Sequence, residues 1–423
     1  LTLHVVVIGA GIVGAVSAVE LLRDGHRVTI LEPGPPGGEQ AASYGNGTML
    51  SPSSVVPISM PGMWRNVPKY LSDPLGPLAI RWAYLPKVAP WLWRFLRAGS
   101  TKAKVRKTAR ALRDLLGDCP ERHRRLAEEA GVGDLIRKPG LLTVFPDRSA
   151  FAAESFAWEL RRENGIRWLE LDEDALRQQE PALDRRYKFG LLIEECGQCL
   201  DPGAYVAGLI AHAEAQGAVR RQGRATGFSI AAGRLKAVKV EGGQGDIPCD
   251  RAVISAGAHS RVLAAAAGDR VSLETERGYH VMIENPGIAP RYPTMPSDGK
   301  MANVMTNNGF RLAGQVELAG LDAAPNWKRA EILRDFAQSA WPGLPRDLPM
   351  DKVKVWMGHR PSTPDGLPCI GPASGCADIV HAYGHGHVGL AGGAMTGRLV
   401  ADVVSALPPT VDLAPFSPQR FSR

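Results

Sequence analysis

The chain lacks any apolar run of the roughly 20 residues that a membrane-spanning helix needs, and it has only six cysteines in 423 residues. Just one cysteine pair, Cys196 and Cys199, has a C-x-x-C spacing. No second pair and no nearby histidine cluster completes a metal ligand set around it. The pair therefore reads as two ordinary thiols near a turn, with a redox pair as the alternative. No secretory leader precedes the first predicted strand, so the expected location is cytoplasmic. Internal repeats and low-complexity tracts are absent. No nucleic-acid recognition motif accompanies the net charge of +7, which argues against a nucleic-acid partner. The length accommodates two packed domains, and 44% hydrophobic with 22% charged residues is ordinary for a globular chain.

The richest segment runs from Val5 to Glu32. A β-run, Val5-Val6-Val7-Ile8, leads into Gly9-Ala10-Gly11-Ile12-Val13-Gly14, then a helical pattern and a second β-run ending at Glu32. Gly9 allows the tight turn, Gly11 lets a pyrophosphate approach the backbone, and Gly14 lets helix and strand pack closely. The pyrophosphate would sit on the helix N-terminus, beside Ile12 and Val13, where unpaired N–H groups favour anions. Glu32 is placed to accept from a ribose hydroxyl pair. A dinucleotide, FAD or NAD, is the expected ligand.

Much of the positive charge lies in Lys102, Lys104, Arg106, Lys107, Arg110 and Arg113. Just before it, Leu78 to Leu96 carries Trp82, Tyr84, Trp91, Trp93 and Phe95, interrupted by Pro86 and Pro90. Aromatics beside basic residues suit a peripheral contact with the inner face of a membrane. The competing reading is a helix pair with a buried aromatic face and a solvated basic one. It is favoured because Pro-broken segments make poor interfacial helices.

Further along, helices are predicted over 102–116, 120–130 and 150–164, and a strand over 140–145. Asp201-Pro202 opens a helix to about Gln216, with Asp as N-cap and Pro at the first position. Short strands over 226–230, 235–240 and 246–248 resemble an antiparallel meander. The strand Ala252 to Ser255 then runs into Ala256-Gly257-Ala258, where backbone can pack against the middle of a dinucleotide. Alternating stretches at 280–283 and 310–313 precede a helix over 329–340.

Two C-terminal segments carry chemistry. One is Gly358-His359-Arg360-Pro361, continuing to Pro364-Asp365-Gly366; an arginine fork there suits a carboxylate. The other is Gly384-His385-Gly386-His387-Val388-Gly389, a glycine-rich turn feeding a helix whose N-terminus favours negative charge.

Taken together these motifs resemble the FAD-dependent D-amino acid oxidase-like family, nearest to its bacterial D-amino acid dehydrogenases. The resemblance rests on the glycine motif with Glu32, the Ala42-Ser43-Tyr44-Gly45-Asn46-Gly47 turn and Ser255-Ala256-Gly257-Ala258. It extends to Arg277-Gly278-Tyr279, the Arg360 run and Gly384-His385-Gly386. It implies an α/β flavoprotein of two domains: a Rossmann-like FAD domain from 1–48, 195–268 and 345–423, and an antiparallel-sheet-plus-helices substrate domain from 49–194 and 269–344. Arg360 is implied as the substrate carboxylate clamp, with a structural ion pair as the competing role. Tyr279 and His280 would close the substrate pocket, and Arg277 would be either a second anion contact or an ion-paired residue. Ser43, Asn46, Gly47, Thr48, Ala256, Gly257, Gly358, Gly384, His385, Gly386, His387 and Gly389 would line the cofactor. For His385 and His387, close backbone approach to the ring is favoured over a catalytic base. Some relatives tether flavin through a cysteine where this chain reads Trp356-Met357-Gly358-His359, so non-covalent FAD is expected.

The implied reaction is oxidation of a C–N bond beside a carboxylate by hydride transfer to flavin N5, giving an imine that hydrolyses to a keto acid and ammonia. It needs no strong acid or base from the protein. Ordinary D-amino acids, D-proline or a hydroxyproline, and sarcosine-type amines all remain open, as do oxygen and a quinone as electron acceptor. Two other readings stand beside it: a flavin-binding subunit of a heteromeric amino-acid oxidase, and an NAD-dependent dehydrogenase. The C-terminal glycine turn disfavours the latter.

Overall fold

A computed structural model describes residues 2–67, 76, 78–243 and 245–421. Part of the 49–100 stretch lies outside them. β1 (His4–Ile8) is fully apolar beyond its first residue because it lies inside a parallel sheet covered on both faces. It pairs with β2 (Arg27–Glu32) on one side and with Arg251–Ile254 on the other. Val219–Gln222 and Ile379–Tyr383 extend the parallel sheet, and Cys369–Pro372 closes it antiparallel. Strand order thus reverses at β1, and the crevice beyond its C-terminal end is where such sheets bind ligands.

α1 (Ile12–Arg23) connects β1 and β2 and packs along the C-terminal helix, Gly389–Val404. Two glycines four residues apart allow the close approach. A Cβ on Gly393 would stand 3.0 Å from the Ile12 side chain, and one on Gly397 would stand 2.5 Å from Val16 Cγ1 and 2.8 Å from its backbone carbon.

A second, nine-stranded sheet carries the strands Lys354–Ser362, Glu274–Ile283, Gly309–Leu318 and Ala302–Thr306 side by side, all antiparallel. Side chains alternate across it. Tyr279, Val281, Phe310 and Leu312 enter a core with Leu333 and Trp341, the former from the helix Lys328–Ala340. Glu276, Gly278, His280, Arg311 and Arg360 take the opposite face. Lys354–Ser362 falls inside the 345–423 segment assigned from sequence to the FAD domain, yet it pairs on the edge of this second sheet. Its alternation satisfies either sheet, and only the long-range register decides between them.

Several helices match expectation: Lys102–Leu116, Cys119–Glu129, and Pro202–Ala215, where the Asp201 side chain accepts from Ala204 N. The meander forms over Ala225–Ala231, Arg234–Val240 and Ile247–Pro248. The single helix expected over 150–164 is instead two, Arg148–Ala153 and Ser155–Glu163. A continuous helix, Leu85–Ala98, forms despite Pro90. Pro86 lies in its first turn, where no intrahelical donor is needed, so Pro90 alone removes a hydrogen bond. Val88, Trp91 and Phe95 form its buried face, while Trp93, Arg94 and Arg97 are exposed. Cys196 lies buried beside Ser51 and Ser53, and Cys199 is buried in the short strand Gly197–Cys199; burial pushes both thiols up.

The α1 contact makes a direct prediction. Gly397→Leu overpacks it and should destabilise the protein by about 1–3 kcal/mol, read as a lower denaturation midpoint in urea; an unchanged midpoint would show that the helix spacing is not fixed by Gly397.

Candidate active site

The glycine turn after β1 is shaped by what a Cβ would meet. Gly9 has φ +102° and its Cβ would stand 2.6 Å from Ser255 O. On Gly14 a Cβ would lie 1.8 Å from Gly9 O. Gly11 is different: its nearest neighbour is Ser43 Oγ at 3.4 Å, leaving open space at the start of α1. Ile12 and Val13 are buried in the first turn, and Ile12 N donates to Ser43 Oγ at 3.0 Å. Glu32 Oε2 accepts from Ala10 N at 2.7 Å, and Oε1 accepts from Gly34 N at 3.2 Å. The acid thereby fixes the turn beside the end of β2. Gly257, beside Ala256, has φ +55° and nothing within 4 Å of its Cβ position. The C-terminal helix begins at Gly389 with no side-chain cap, so a second helix N-terminus stays available to negative charge.

The 43–48 turn docks on the face of the large sheet opposite the Leu333–Trp341 core. Arg311 Nη1 donates to Tyr44 O at 3.1 Å and to Asn46 O at 2.9 Å. Asn46 Oδ1 accepts from Thr48 N at 2.8 Å. Buried Thr48 has φ +64°, a strained conformation for a β-branched residue. A Cβ on Gly47 would meet Ala302 Cβ at 3.0 Å. His280 faces the same way, its Nδ1 3.3 Å from Gly45 O and its ring stacked on Trp356 at 5.1 Å. Burial, helped by Arg311, lowers the His280 pKa to about 3, so the ring is neutral.

Arg360 crosses the neighbouring strand. Its guanidinium lies over Gly278, where a Cβ would stand 2.2 Å from Cζ, and Nη1 donates to Gln315 O at 2.8 Å. A bridge between Ser362 and His385 ties this strand to the Gly384–Gly389 turn. Gly384 and Gly386 there have φ of +91° and +53°. His385 Nε2 pairs with Thr396 Oγ1 at 2.8 Å, and burial lowers its pKa to about 3. His387 Nδ1 instead lies 3.5 Å from Glu276 Oε2.

The structure brings Arg360, His280, the 43–48 turn and the 384–389 turn to one face, and it does not bring Tyr279 there. Tyr279 OH donates to Glu317 Oε2 at 2.6 Å on the far side of the sheet. Arg277 lies there too, 3.3 Å from Glu317, so it is ion-paired and not a second anion contact at this face. The reason is the two-residue period of a strand: the Gly-Tyr step puts neighbours on opposite faces. His280 reaches the right face but is spent on Trp356 and Gly45. Gly358 makes room for an indole, since its Cβ would stand 1.9 Å from the Trp356 ring. Sequence reasoning missed Glu276, Arg311, Trp356 and Gln315. Glu276 carried no local signal, because the face it takes follows from its pairing with Arg360.

The family model described as DAO, FAD dependent oxidoreductase, matches residues 4–403. The chain is 59% identical to a D-amino-acid oxidase of Bradyrhizobium diazoefficiens over 99% of both chains. It is 30% identical to a D-amino acid dehydrogenase of Xanthobacter autotrophicus, again over 99% of both. Among solved structures, glycine oxidase from Geobacillus kaustophilus superposes with a TM-score of 0.72 at 22% identity, covering 99% of each chain. L-proline dehydrogenase from P. horikoshii gives 0.73 at 18% identity, over 100% of this chain and 98% of that one.

Gly278→Ala should displace the Arg360 guanidinium while leaving the nucleotide turn intact. The expected outcome is retained flavin with benzoate affinity at least about tenfold weaker, about 1.4 kcal/mol; flavin absorbance and a benzoate titration check it.

Proposed function

Because this chain belongs to the family of FAD-dependent oxidoreductases, we propose that it oxidises the C–N bond of a D-amino acid to an imine, which water hydrolyses to a keto acid and ammonia. The observation that carries the reading is Arg360, held by main-chain carbonyls on the face shared by the 43–48 and 384–389 turns. Its fork would take the substrate carboxylate in bidentate fashion. The D-amino-acid oxidase relative supports the D-configuration.

FAD fits the residues present. The open space at Gly11 and the N-terminus of α1 would take the pyrophosphate, Glu32 the ribose, and Gly257 the middle of the dinucleotide. The 43–48 turn and Gly384–Gly389 would flank the ring. When bound, FAD supplies the acceptor for the substrate's Cα hydrogen and two electrons. Everything else falls to the chain: Arg360 orients the Cα–H, and the uncapped helix at Gly389 stabilises negative charge. His359 supports non-covalent attachment, since its Nδ1 pairs with Thr275 Oγ1 at 2.9 Å on the face away from Arg360.

Oxygen or a quinone would take the electrons onward. Among the described residues no helix is long and apolar enough to cross a membrane. Trp82 and Trp93, 65% and 68% exposed beside Lys87, Arg94 and Arg97, support a peripheral contact with an anionic bilayer. Sedimentation with anionic vesicles, lost in the Trp82→Ser/Trp93→Ser double variant, is the expected outcome.

The principal test is an anaerobic visible spectrum of the holoenzyme with D-alanine, D-proline, cis-4-hydroxy-D-proline, sarcosine and L-alanine added separately. A D-compound should bleach the flavin band; bleaching by none of them defeats the reading. Arg360→Leu should lower kcat/KM by about 2–5 kcal/mol, and near-normal activity in that variant removes Arg360 from the site.

A further inference from the structure

We propose that Glu276 is the second anchor of the substrate: its carboxylate receives the α-ammonium group and accepts a proton from it. This rests on the amino-acid reading above and assigns the other half of the same site. Glu276 lies directly opposite Arg360 in the strand pair, so the two side chains emerge on one face. The side chain is only 6% exposed, and Oε2 has no hydrogen-bond partner. A buried carboxylate left in this state is costly unless something completes it. Arg360 does not do so. Its guanidinium is turned across Gly278 to Gln315 O and Gly314 O, and no ion pair joins it to Glu276 among the described residues. A group that binds anions and one that binds cations therefore stand side by side, within reach of each other's charge but not hydrogen-bonded to each other. That is the charge pattern of a zwitterionic amino acid in reverse.

The groups facing Glu276 are few. Glu274 lies on its own strand, with its carboxylate taken by Tyr84 OH. Arg360 and Ser362 face it from the edge strand, and His387 from the glycine turn. Burial pushes the Glu276 carboxyl up to about 7, against the pull of Arg360 and the Ser362 hydroxyl. Such a group is poised between its two forms near neutral pH. In the step itself an N–H bond of the ammonium breaks, an O–H bond forms on Glu276, and no electrons change hands. The product is the neutral amine, whose lone pair is what the oxidation requires. The proton then leaves to solvent past His387, whose side chain is 36% exposed.

The test compares a zwitterion with an amine-free carboxylate on the holoenzyme. Ionised Glu276 attracts an ammonium and repels a bare carboxylate. With wild type, kcat/KM for the D-amino acid should rise with pH through about 7, while benzoate affinity falls over the same range. Glu276→Gln, checked for flavin content and melting temperature, should lower kcat/KM by about 10²-fold or more, flatten that limb and bind benzoate as well as or better than wild type. Glu276→Asp should restore the limb. Equal losses for amino acid and benzoate would make Glu276 a mere prop for Arg360, and a pH-independent benzoate affinity in wild type would overturn the proposal even if the variants failed to fold. Should no amino acid be oxidised, the function reading fails by itself; D-alanine competition against benzoate across pH still decides the role of Glu276.

Discussion

The antiparallel register that runs from Glu274 opposite Ser362 to Met282 opposite Lys354 is the constraint on which the site depends. Side chains alternate with a period of two, so a slip of one residue on either strand would put Arg360 and Glu276 on opposite faces. The same register sets Gly278 across from Gly358, giving two adjoining strands a bare patch. Arg360 crosses one glycine and Trp356 covers the other. Large side chains lie flat on the sheet there because their neighbours have none.

The face so formed joins two halves of the molecule. Ser43 links it to the start of α1, Arg311 grips the 43–48 turn, and the Ser362–His385 bridge brings in the C-terminal helix. Each contact ends on main-chain atoms, which places backbone with little dependence on neighbouring side chains. Arg360 is likewise held by carbonyls before any ligand arrives, so little reorganisation is needed on binding.

Local signals carried the nucleotide half well. β1, the glycine turn and Glu32 obey a short-range rule, and the Asp201-Pro202 helix start is a capping pattern readable within four residues. The Pro-interrupted aromatic segment was harder, because tertiary burial of Val88, Trp91 and Phe95 outweighs one lost hydrogen bond. The substrate face was legible only in part. Arg360 stands in a recognisable run, but the sides taken by Tyr279 and Glu276 follow from strand pairing between residues some eighty positions apart. No local pattern encodes that pairing, so Arg277-Gly278-Tyr279 drew notice and the acid beside it did not.

The pairing of α1 with Gly389–Val404 bears on how the chain is made. The helix that opens the nucleotide site, Ile12–Arg23, is synthesised long before the one it packs on, Gly389–Val404. At ordinary rates of translation, α1 waits on the order of tens of seconds for its partner. Through that interval a helix buried over most of its length has its apolar side uncovered. Chains that end before Gly389–Val404 would keep that surface uncovered. The helix Gly389–Val404 thus acts as a seal on α1.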